Sequence, residues 1–352
     1  MNKKVFTGVF AAAAVLGLLP AVSAADETYT DNSGDVFTYF VDGNGKISVR
    51  SVKDNKDGIL VVPNKISGKN VTSFKCENSN ISVLDLSKNT ALTELSCGMN
   101  MLTALNTGKN TKLKELSCEN NRLTSLDLSK NTKLTYLYAS DNGLTSLDIK
   151  TNTALVTLRL DNNQLTSLDT GRNTKLESLS CFRNKLTSLD VRKNTLLTKL
   201  SVDSNQLTSL DLGKNTALKE LVVSSNQLTE LDLANNKKLE TLDCSNNKLT
   251  SLDLSSHTTL VSVYCQNNQL TALDVNKNKS LRKLRCSTNK LNTLKVADCS
   301  RLEELYCESN QLTVLDLSKC FFPFYGVRIT CLRNLMSGQS AGMPRYTVRI
   351  IS

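Results

Sequence analysis

The chain has 352 residues, a formal net charge of +10, eleven cysteines, one histidine and no tryptophan, and 5% of its residues are aromatic. One histidine leaves little for histidine-based catalysis, and so few rings argue against a stacking platform for single-stranded nucleic acid. Residues 1–24 supply two of the ten net positive charges and residues 320–352 supply four. The rest of the chain therefore lacks the concentrated basic patch that binds nucleic acid.

The first 24 residues have the three parts of a secretory signal peptide. Lys3 and Lys4 form a charged start, residues 5–19 are an apolar stretch too short to span a membrane comfortably, and residues 22–24 are small, as at a cleavage site. We predict a signal peptide over 1–24, no transmembrane segment in the mature chain, and a secreted or extracellular cell-surface location. An uncleaved N-terminal anchor is the alternative.

Residues 25–70 do not repeat, and they predict a small N-terminal β cap. Residues 36–40 and 46–52 have strand character and flank a turn-rich segment at 42–45, and residues 59–62 predict a third strand. A cap is needed because the first coil of a repeat array would otherwise leave leucines in water.

From Val71 onwards the sequence repeats every 21 residues, and twelve units cover 71–322. A representative unit, at 113–133, reads LKELSCENNRLTSLDLSKNTK. Repeat positions 4 and 6 are apolar and alternate with polar positions 3, 5 and 7, which predicts a short strand with one buried face. One unit cannot bury its own leucines, so units must stack and pair their strands in parallel, about 4.8 Å apart.

The predicted fold over 71–320 is therefore a β-rich solenoid of about twelve repeats. We expect a right-handed superhelix with a parallel β-sheet on its concave side. Turns with short extended or 3₁₀ segments would form the convex side. Twelve coils at the strand spacing of a sheet give a length of about 55–60 Å.

Position 6 forms a column of cysteines, and the four units without cysteine place an apolar residue there. We expect buried, reduced, structural thiols. Strands in register hold neighbouring Cβ atoms nearly 5 Å apart on parallel vectors, whereas a disulfide needs about 3.8 Å. A linear column also cannot surround a metal ion, so we predict no metal and no cofactor. The eight cysteines are Cys76, Cys97, Cys118, Cys181, Cys244, Cys265, Cys286 and Cys307.

Position 9 forms a second column, which is asparagine in eleven units. We expect each buried amide to hydrogen-bond to backbone groups of its own turn and of the next one. The column consists of Asn100, Asn121, Asn142, Asn163, Asn184, Asn205, Asn226, Asn247, Asn268, Asn289 and Asn310.

Two features near the C-terminus leave alternatives open. Cys299 and Cys320 share position 19 in adjacent units, which allows a Cys299–Cys320 or a Cys320–Cys331 disulfide. Residues 321–352 break the repeat in mid-unit and contain no acidic residue. This atypical tail is either a cap whose phenylalanines cover the last coil, or the foreign end of a frameshifted or truncated gene, and we favour the second interpretation.

The unit L-x-x-L-x-C-x-x-N-x-L resembles the leucine-rich repeat. Its length of 21 residues and its cysteine at position 6 are similar to repeats of bacterial surface proteins, in particular the cysteine-ladder members of the internalin family. The resemblance implies a secreted or surface-bound module that recognises a host protein or a protein of a neighbouring cell. It does not name the ligand.

Binding residues are expected at positions 3, 5 and 7 on the concave face, which stacking leaves free to vary. Aromatic and arginine side chains there are of the types enriched at protein interfaces. The alternative is that these are ordinary strand residues. The first predicted cluster comprises Tyr136, Tyr138, Arg159, Asp161, Phe182, Lys199 and Asp203, and the second comprises Tyr264, Lys283, Arg285, Glu304 and Tyr306.

The flanks of the repeats are too short to hold a catalytic domain, so the predicted function is non-enzymatic protein recognition, in adhesion or host interaction, by a monomer. The predicted partner is a protein of unknown identity, and nucleic acid is excluded. The alternative function is a structural spacer, or a carbohydrate- or wall-binding segment of a larger, truncated surface protein, with a glycan as ligand.

Overall fold

A computed structural model describes residues 26–53, 55, 57–317, 320, 328–331 and 347–349. The predicted signal peptide and Phe321, Phe322 and Phe324 of the predicted tail lie outside these residues. Strands and turns make up the secondary structure of the described part, which contains no helix.

Six strands form the N-terminal part: β1 (Glu27–Thr30), β2 (Val36–Val41), β3 (Ile47–Lys53), β4 (Ile59–Val61), β5 (Lys65–Ile66) and β6 (Lys69–Lys75). Strand β1 pairs antiparallel with β2, and β2 pairs antiparallel with β3, so the predicted hairpin is present. Strand β3 then pairs in parallel with β6, with Ile47 beside Val71. The solenoid thus begins one turn earlier than the repeated sequence, and the cap strands are continuous with the concave sheet.

Seventeen further described strands follow: β7 (Val83–Asp85), β8 (Glu94–Ser96), β9 (Glu115–Ser117), β10 (Tyr136–Tyr138), β11 (Thr157–Arg159), β12 (Ser178–Ser180), β13 (Lys199–Ser201), β14 (Glu220–Val222), β15 (Thr241–Asp243), β16 (Ser262–Tyr264), β17 (Ala272–Asp274), β18 (Lys283–Arg285), β19 (Thr293–Lys295), β20 (Glu304–Tyr306), β21 (Val314–Asp316), β22 (Arg328–Thr330) and β23 (Thr347–Arg349). The concave sheet continues from β6 through β8–β16, β18, β20 and β22, always in parallel. Pairs β4–β7, β17–β19 and β21–β23 form short parallel sheets from the other half of each coil.

The register of the concave sheet aligns each repeat position with itself. Leu116, Leu137 and Leu158 occupy position 4 of consecutive units and pair side by side. All three are fully buried, and a buried leucine contributes about 1.5–3 kcal/mol through removal of its apolar surface from water. The solenoid with a parallel concave sheet is confirmed.

The asparagine column at position 9 hydrogen-bonds backward along the solenoid. The side-chain amide of Asn205 donates to the carbonyl of Val202 in its own turn and to that of Cys181 in the preceding turn, both at 3.0 Å. Its Oδ1 accepts from the backbone N–H of Leu186, at 3.0 Å, also in the preceding turn. The predicted role is right, but the predicted direction is wrong, because this column binds the preceding turn rather than the next one.

Position 19 forms another buried amide column. Asn152 donates through Nδ2 to the carbonyls of Leu128 and Asn131 in the preceding turn, at 3.1 and 2.9 Å. Cys299 and Cys320 take the same place near the C-terminus, where their thiols contact the carbonyls of Val275 and Val296 at 3.2 and 3.3 Å. Both cysteines are free thiols, so neither disulfide considered for them is present.

The convex side consists of turns and extended segments, without 3₁₀ helix in the described residues. Aspartates at position 15 initiate the turns, as where Asp127 Oδ1 accepts from the backbone N–H of Ser129 at 2.9 Å. This hydrogen bond to the residue two places on is the Asx turn that aspartate favours. The acidic column on the convex face is therefore a structural feature.

Most of the cysteine column is as predicted. Seven of its members are buried free thiols, and burial raises the pKa of thiols such as Cys118 and Cys181 because a thiolate there would lack water. Such thiols are poor nucleophiles and metal ligands.

The last cysteine of the column corrects the prediction. Cys307 forms a disulfide with Cys331, across a Cα–Cα distance of 4.8 Å. The two cysteines immediately follow β20 and β22, which pair in register. Cys331 directly follows β22, the last concave strand of the described sheet. Because β22 is paired on one side only within that sheet, Cys331 is not held between two neighbouring turns as the interior cysteines are. The argument from parallel Cβ vectors therefore does not hold at this end.

Candidate functional site

The predicted binding residues lie on the concave strands or just after them. Position 3 opens each strand, position 5 closes it, and position 7 lies two residues further on. Tyr136, at position 3, is 40% exposed, whereas Asp161, at position 7, is only 7% exposed. Candidate residues on this face therefore range from solvent-facing rings to buried carboxylates.

Five residues of the first predicted cluster line one hollow of about 290 Å³: Tyr138, Arg159, Asp161, Phe182 and Lys199. Tyr138 and Arg159 are neighbours in register on β10 and β11. The guanidinium carbon of Arg159 lies 5.7 Å from the centroid of the Tyr138 ring, a cation–π distance. Tyr136 and Asp203 do not line this hollow.

Asp161 is the buried anchor of the hollow. Its carboxylate accepts hydrogen bonds from the hydroxyls of Ser180 and Ser140 and, at 3.1 Å, from the backbone N–H of Phe182. Burial raises the pKa of Asp161 to about 6, although the hydrogen bonds and Arg159 oppose that shift. Asp161 thus positions Phe182 and Ser180, and its oxygens are already engaged.

The remaining charged residues of the first cluster are also engaged. Lys199 forms an ion pair with Glu220 on the neighbouring strand, at 3.4 Å. Asp203 accepts a hydrogen bond from the Ser201 hydroxyl at 2.8 Å, and burial raises the pKa of Asp203. Tyr138 and Phe182 supply the two aromatic rings of the hollow, and each has an arginine over its face, Arg159 and Arg183 respectively.

The second predicted cluster is a stack. Tyr264, Arg285 and Tyr306 are neighbours in register at position 5. The Arg285 guanidinium carbon lies 5.4 Å from the Tyr264 ring centroid and 5.1 Å from that of Tyr306. Glu304 forms an ion pair with Arg285, so the guanidinium is held from both faces and from its edge. Lys283 is on the same strand as Arg285 and is exposed.

An acidic region was missed by the sequence reasoning. Glu94, Glu115 and Glu119 line a second hollow of about 350 Å³, which shares Glu119, Tyr138 and Arg159 with the first. Burial and the neighbouring Glu94 raise the pKa of Glu115. Glutamate at position 3 of two consecutive units is the sequence signal for this region, whereas the prediction rested on aromatic rings and arginine.

Two further classes of site find no support in the described residues. No group of three or more His, Cys, Asp or Glu side chains there could hold a metal ion. Over the same part of the chain, no helix is long and apolar enough to cross a membrane.

The comparisons with known proteins agree with this geometry. A family model described as two copies of leucine-rich repeats matches residues 216–257. The functional domain of InlJ from Listeria monocytogenes, which includes a cysteine ladder, superposes with a TM-score of 0.62 at 38% identity. This chain is a leucine-rich-repeat protein. The match covers 70% of this protein and 59% of the InlJ domain.

Other solved structures are similar to this leucine-rich-repeat protein. LIC12759 of Leptospira interrogans has a TM-score of 0.67 and 26% identity, covering 73% of this chain and 72% of that one. YopM of Yersinia enterocolitica has a TM-score of 0.56 and 27% identity, covering 72% of this chain and 58% of that one. No curated protein matches.

The raised pKa of Asp161 makes the stability of this leucine-rich-repeat protein depend on pH. An aspartate whose pKa is about 6 in the folded state, against an ordinary 3.8, binds a proton more readily when folded, so its contribution favours folding as the pH falls from 7 to 5. Asp161→Asn removes this term and keeps an acceptor for Ser180 and Phe182. We expect the variant to be more stable than the parent at both pH 5 and pH 7, with an advantage that is about 1 kcal/mol larger at pH 7 than at pH 5.

The measurement is urea unfolding of both proteins at pH 5, 6 and 7. The matched control is Asp190→Asn, since Arg192 lowers the pKa of the exposed Asp190 to about 2, so this aspartate is ionised in the folded and unfolded states alike between pH 5 and 7 and its loss should add no pH dependence there. A difference between Asp161→Asn and the parent that does not change between pH 5 and 7 would contradict the assignment.

Proposed function

We propose that this leucine-rich-repeat protein is a non-enzymatic binding module, secreted or displayed on a bacterial cell, that recognises a protein ligand in adhesion or host interaction. The observation that carries the proposal is the hollow on the concave face between Tyr138 and Phe182. Its floor is formed by Asp161 and serine hydroxyls, and Arg159 and Arg183 lie over the Tyr138 and Phe182 rings. The likeness to InlJ and YopM supports a binding role of this class.

The arrangement suits a protein ligand because its anchors are rigid before binding. Tyr138 is fixed by Arg159, and the backbone of Phe182 is fixed by Asp161, so little side-chain freedom would be lost on association. Aromatic rings on such a support are the residues that contribute most to protein interfaces. The polar groups around them would form the rim.

The test is capture of surface proteins from candidate host cells by the immobilised protein, followed by affinity measurement with the purified ligand. We expect Phe182→Ala and Tyr138→Ala each to weaken binding about tenfold or more, as for central interface anchors. The matched control is Leu196→Ala, because Leu196 is also a large exposed apolar side chain, 50% accessible, but lies in the turn before β13.

Two results would contradict the proposal. Equal binding by Phe182→Ala, Tyr138→Ala and the parent would exclude the hollow as the contact site. Binding of the purified protein to a glycan array that contains no protein would favour the carbohydrate-binding alternative instead.

A further inference from the structure

A third hollow of about 350 Å³ lies at the C-terminal end of the concave face, outside the Tyr138–Phe182 hollow. It is lined by Gln266 and Glu308, both at position 7, by Ser287 at the same position of the unit between them, and by Arg285 and Tyr306. Gln266 and Glu308 were not among the residues predicted from the sequence. Asn267 and Thr288 complete the lining of this hollow.

Two acceptor atoms in this hollow lack a partner. Gln266 Oε1 and Glu308 Oε2 are both buried and form no hydrogen bond. A buried acceptor without a donor is unfavourable, more so when it carries charge, and it calls for an explanation. A half-turn of the Gln266 amide about its last bond turns Oε1 towards a donor in the hollow, whereas a half-turn of the Glu308 carboxylate exchanges two equivalent oxygens and leaves one of them covered.

The charge balance of the hollow favours a cation. Arg285 is already paired with Glu304 and stacked between two tyrosine rings. The charge of Arg285 is therefore compensated within the stack, and it does not neutralise the carboxylate of Glu308. Asp243, which lies close enough to Arg285 to feel its charge, adds a second negative group nearby. A positively charged hydrogen-bond donor would balance these negative charges.

We propose that this hollow is a binding site for a primary ammonium group, as carried by a lysine side chain of the protein ligand. An ammonium has three N–H donors on one compact centre. The structure offers three matching groups around one space: the Glu308 carboxylate, the Gln266 carbonyl oxygen and the Ser287 hydroxyl. The Tyr306 ring forms a wall against which the methylene stem of a lysine can pack.

A guanidinium fits less well, since its planar fork binds best to two carboxylate oxygens at once. One oxygen of Glu308 is covered, which leaves a single point of attachment on that side chain. The site should therefore distinguish lysine from arginine. The protein source of the lysine rests on the proposed function, whereas binding of the ammonium group itself does not.

The probe is capped lysine, Nα-acetyl-L-lysine methylamide, titrated into the full chain and followed by ligand-observed NMR. We expect saturable binding to the parent, and binding about tenfold weaker in Glu308→Gln, because that variant keeps the shape but removes the charge that strengthens the hydrogen bond. The matched control is Glu230→Gln, an exposed carboxylate outside the three hollows, which should leave the affinity unchanged. Thermal unfolding of Glu308→Gln verifies that the variant is folded.

Capped arginine and capped norleucine complete the experiment. Weaker binding by both supports the ammonium assignment. Equal binding by norleucine would reduce the site to an apolar contact, and equal binding by arginine would overturn the preference for an ammonium group. Absence of lysine binding, or equal affinity of the parent and Glu308→Gln, would overturn the proposal while leaving the Phe182 and Tyr138 test intact.

Discussion

Asn205→Ala should lower the free energy of unfolding by about 2–4 kcal/mol, because a buried backbone N–H and several carbonyls lose their partner together. The backbone N–H of Leu186 donates a hydrogen bond to Asn205 Oδ1, and the carbonyls of Cys181, Val202 and Asp203 accept from the Nδ2 group of the same side chain. Asn205 is 8% exposed, so water cannot readily replace these hydrogen bonds.

Urea denaturation followed by circular dichroism measures this effect. Asn235→Ala is the matched control, because Asn235 is an exposed asparagine of the neighbouring convex turn, and its loss should change stability by less than about 0.5 kcal/mol. Equal stability of the two variants would mean that the ladder is not a principal source of stability. Leu is a poorer replacement than Ala in this experiment, since its bulk adds strain to the loss of hydrogen bonds.

Cys331→Ser should lower the stability of the C-terminal end by about 3 kcal/mol, the usual contribution of a disulfide that closes a loop of this size. The bond joins residues 24 apart and limits the freedom of the unfolded chain. Cys307 would then become a buried thiol like the other members of its column, so the variant creates no new type of buried group. Thermal unfolding without reductant is the measurement.

A reductant and a thiol count provide the controls for the disulfide. Reductant should lower the unfolding temperature of the parent to that of Cys331→Ser, and it should leave Cys331→Ser unchanged. In denaturant without reductant, the parent should titrate as nine free thiols, in agreement with the nine free cysteines of the structure. Eleven thiols under these conditions would show that the Cys307–Cys331 bond does not form.

Repetition in the sequence made most of the scaffold predictable. An apolar residue at position 4 of every unit can be buried only if like positions stack, so the parallel register of Leu116, Leu137 and Leu158 follows from the period alone. The burial of the asparagine column follows from its place after a strand. Its direction does not follow, because hydrogen bonds to the preceding turn and to the next turn require the same asparagine at the same spacing.

Other features could not be predicted because they depend on distances across the face. The pairing of Cys307 with Cys331 requires that β22 join the sheet, although residues 321–327 before it do not follow the repeat. Position 8 has positive φ in all twelve units, from 51° to 57°, yet it is occupied by residues as different as Met99, Arg183 and Thr288. Asparagine and aspartate tolerate that backbone conformation better than these three do, so the column has no single residue type to reveal it.

The backward hydrogen bonds of the asparagine ladder give the solenoid a polarity. Asn205 completes the turn that contains Cys181 and Leu186, and Asn226 completes the turn that contains Val202 and Leu207. Each newly folded turn thereby forms hydrogen bonds to the backbone N–H and carbonyl groups of the turn that is already in place. A chain that emerges from the ribosome N-terminus first would fold its coils in the order in which they are synthesised. At any moment, only the most recently folded coil would lack the asparagine hydrogen bonds that the next coil provides.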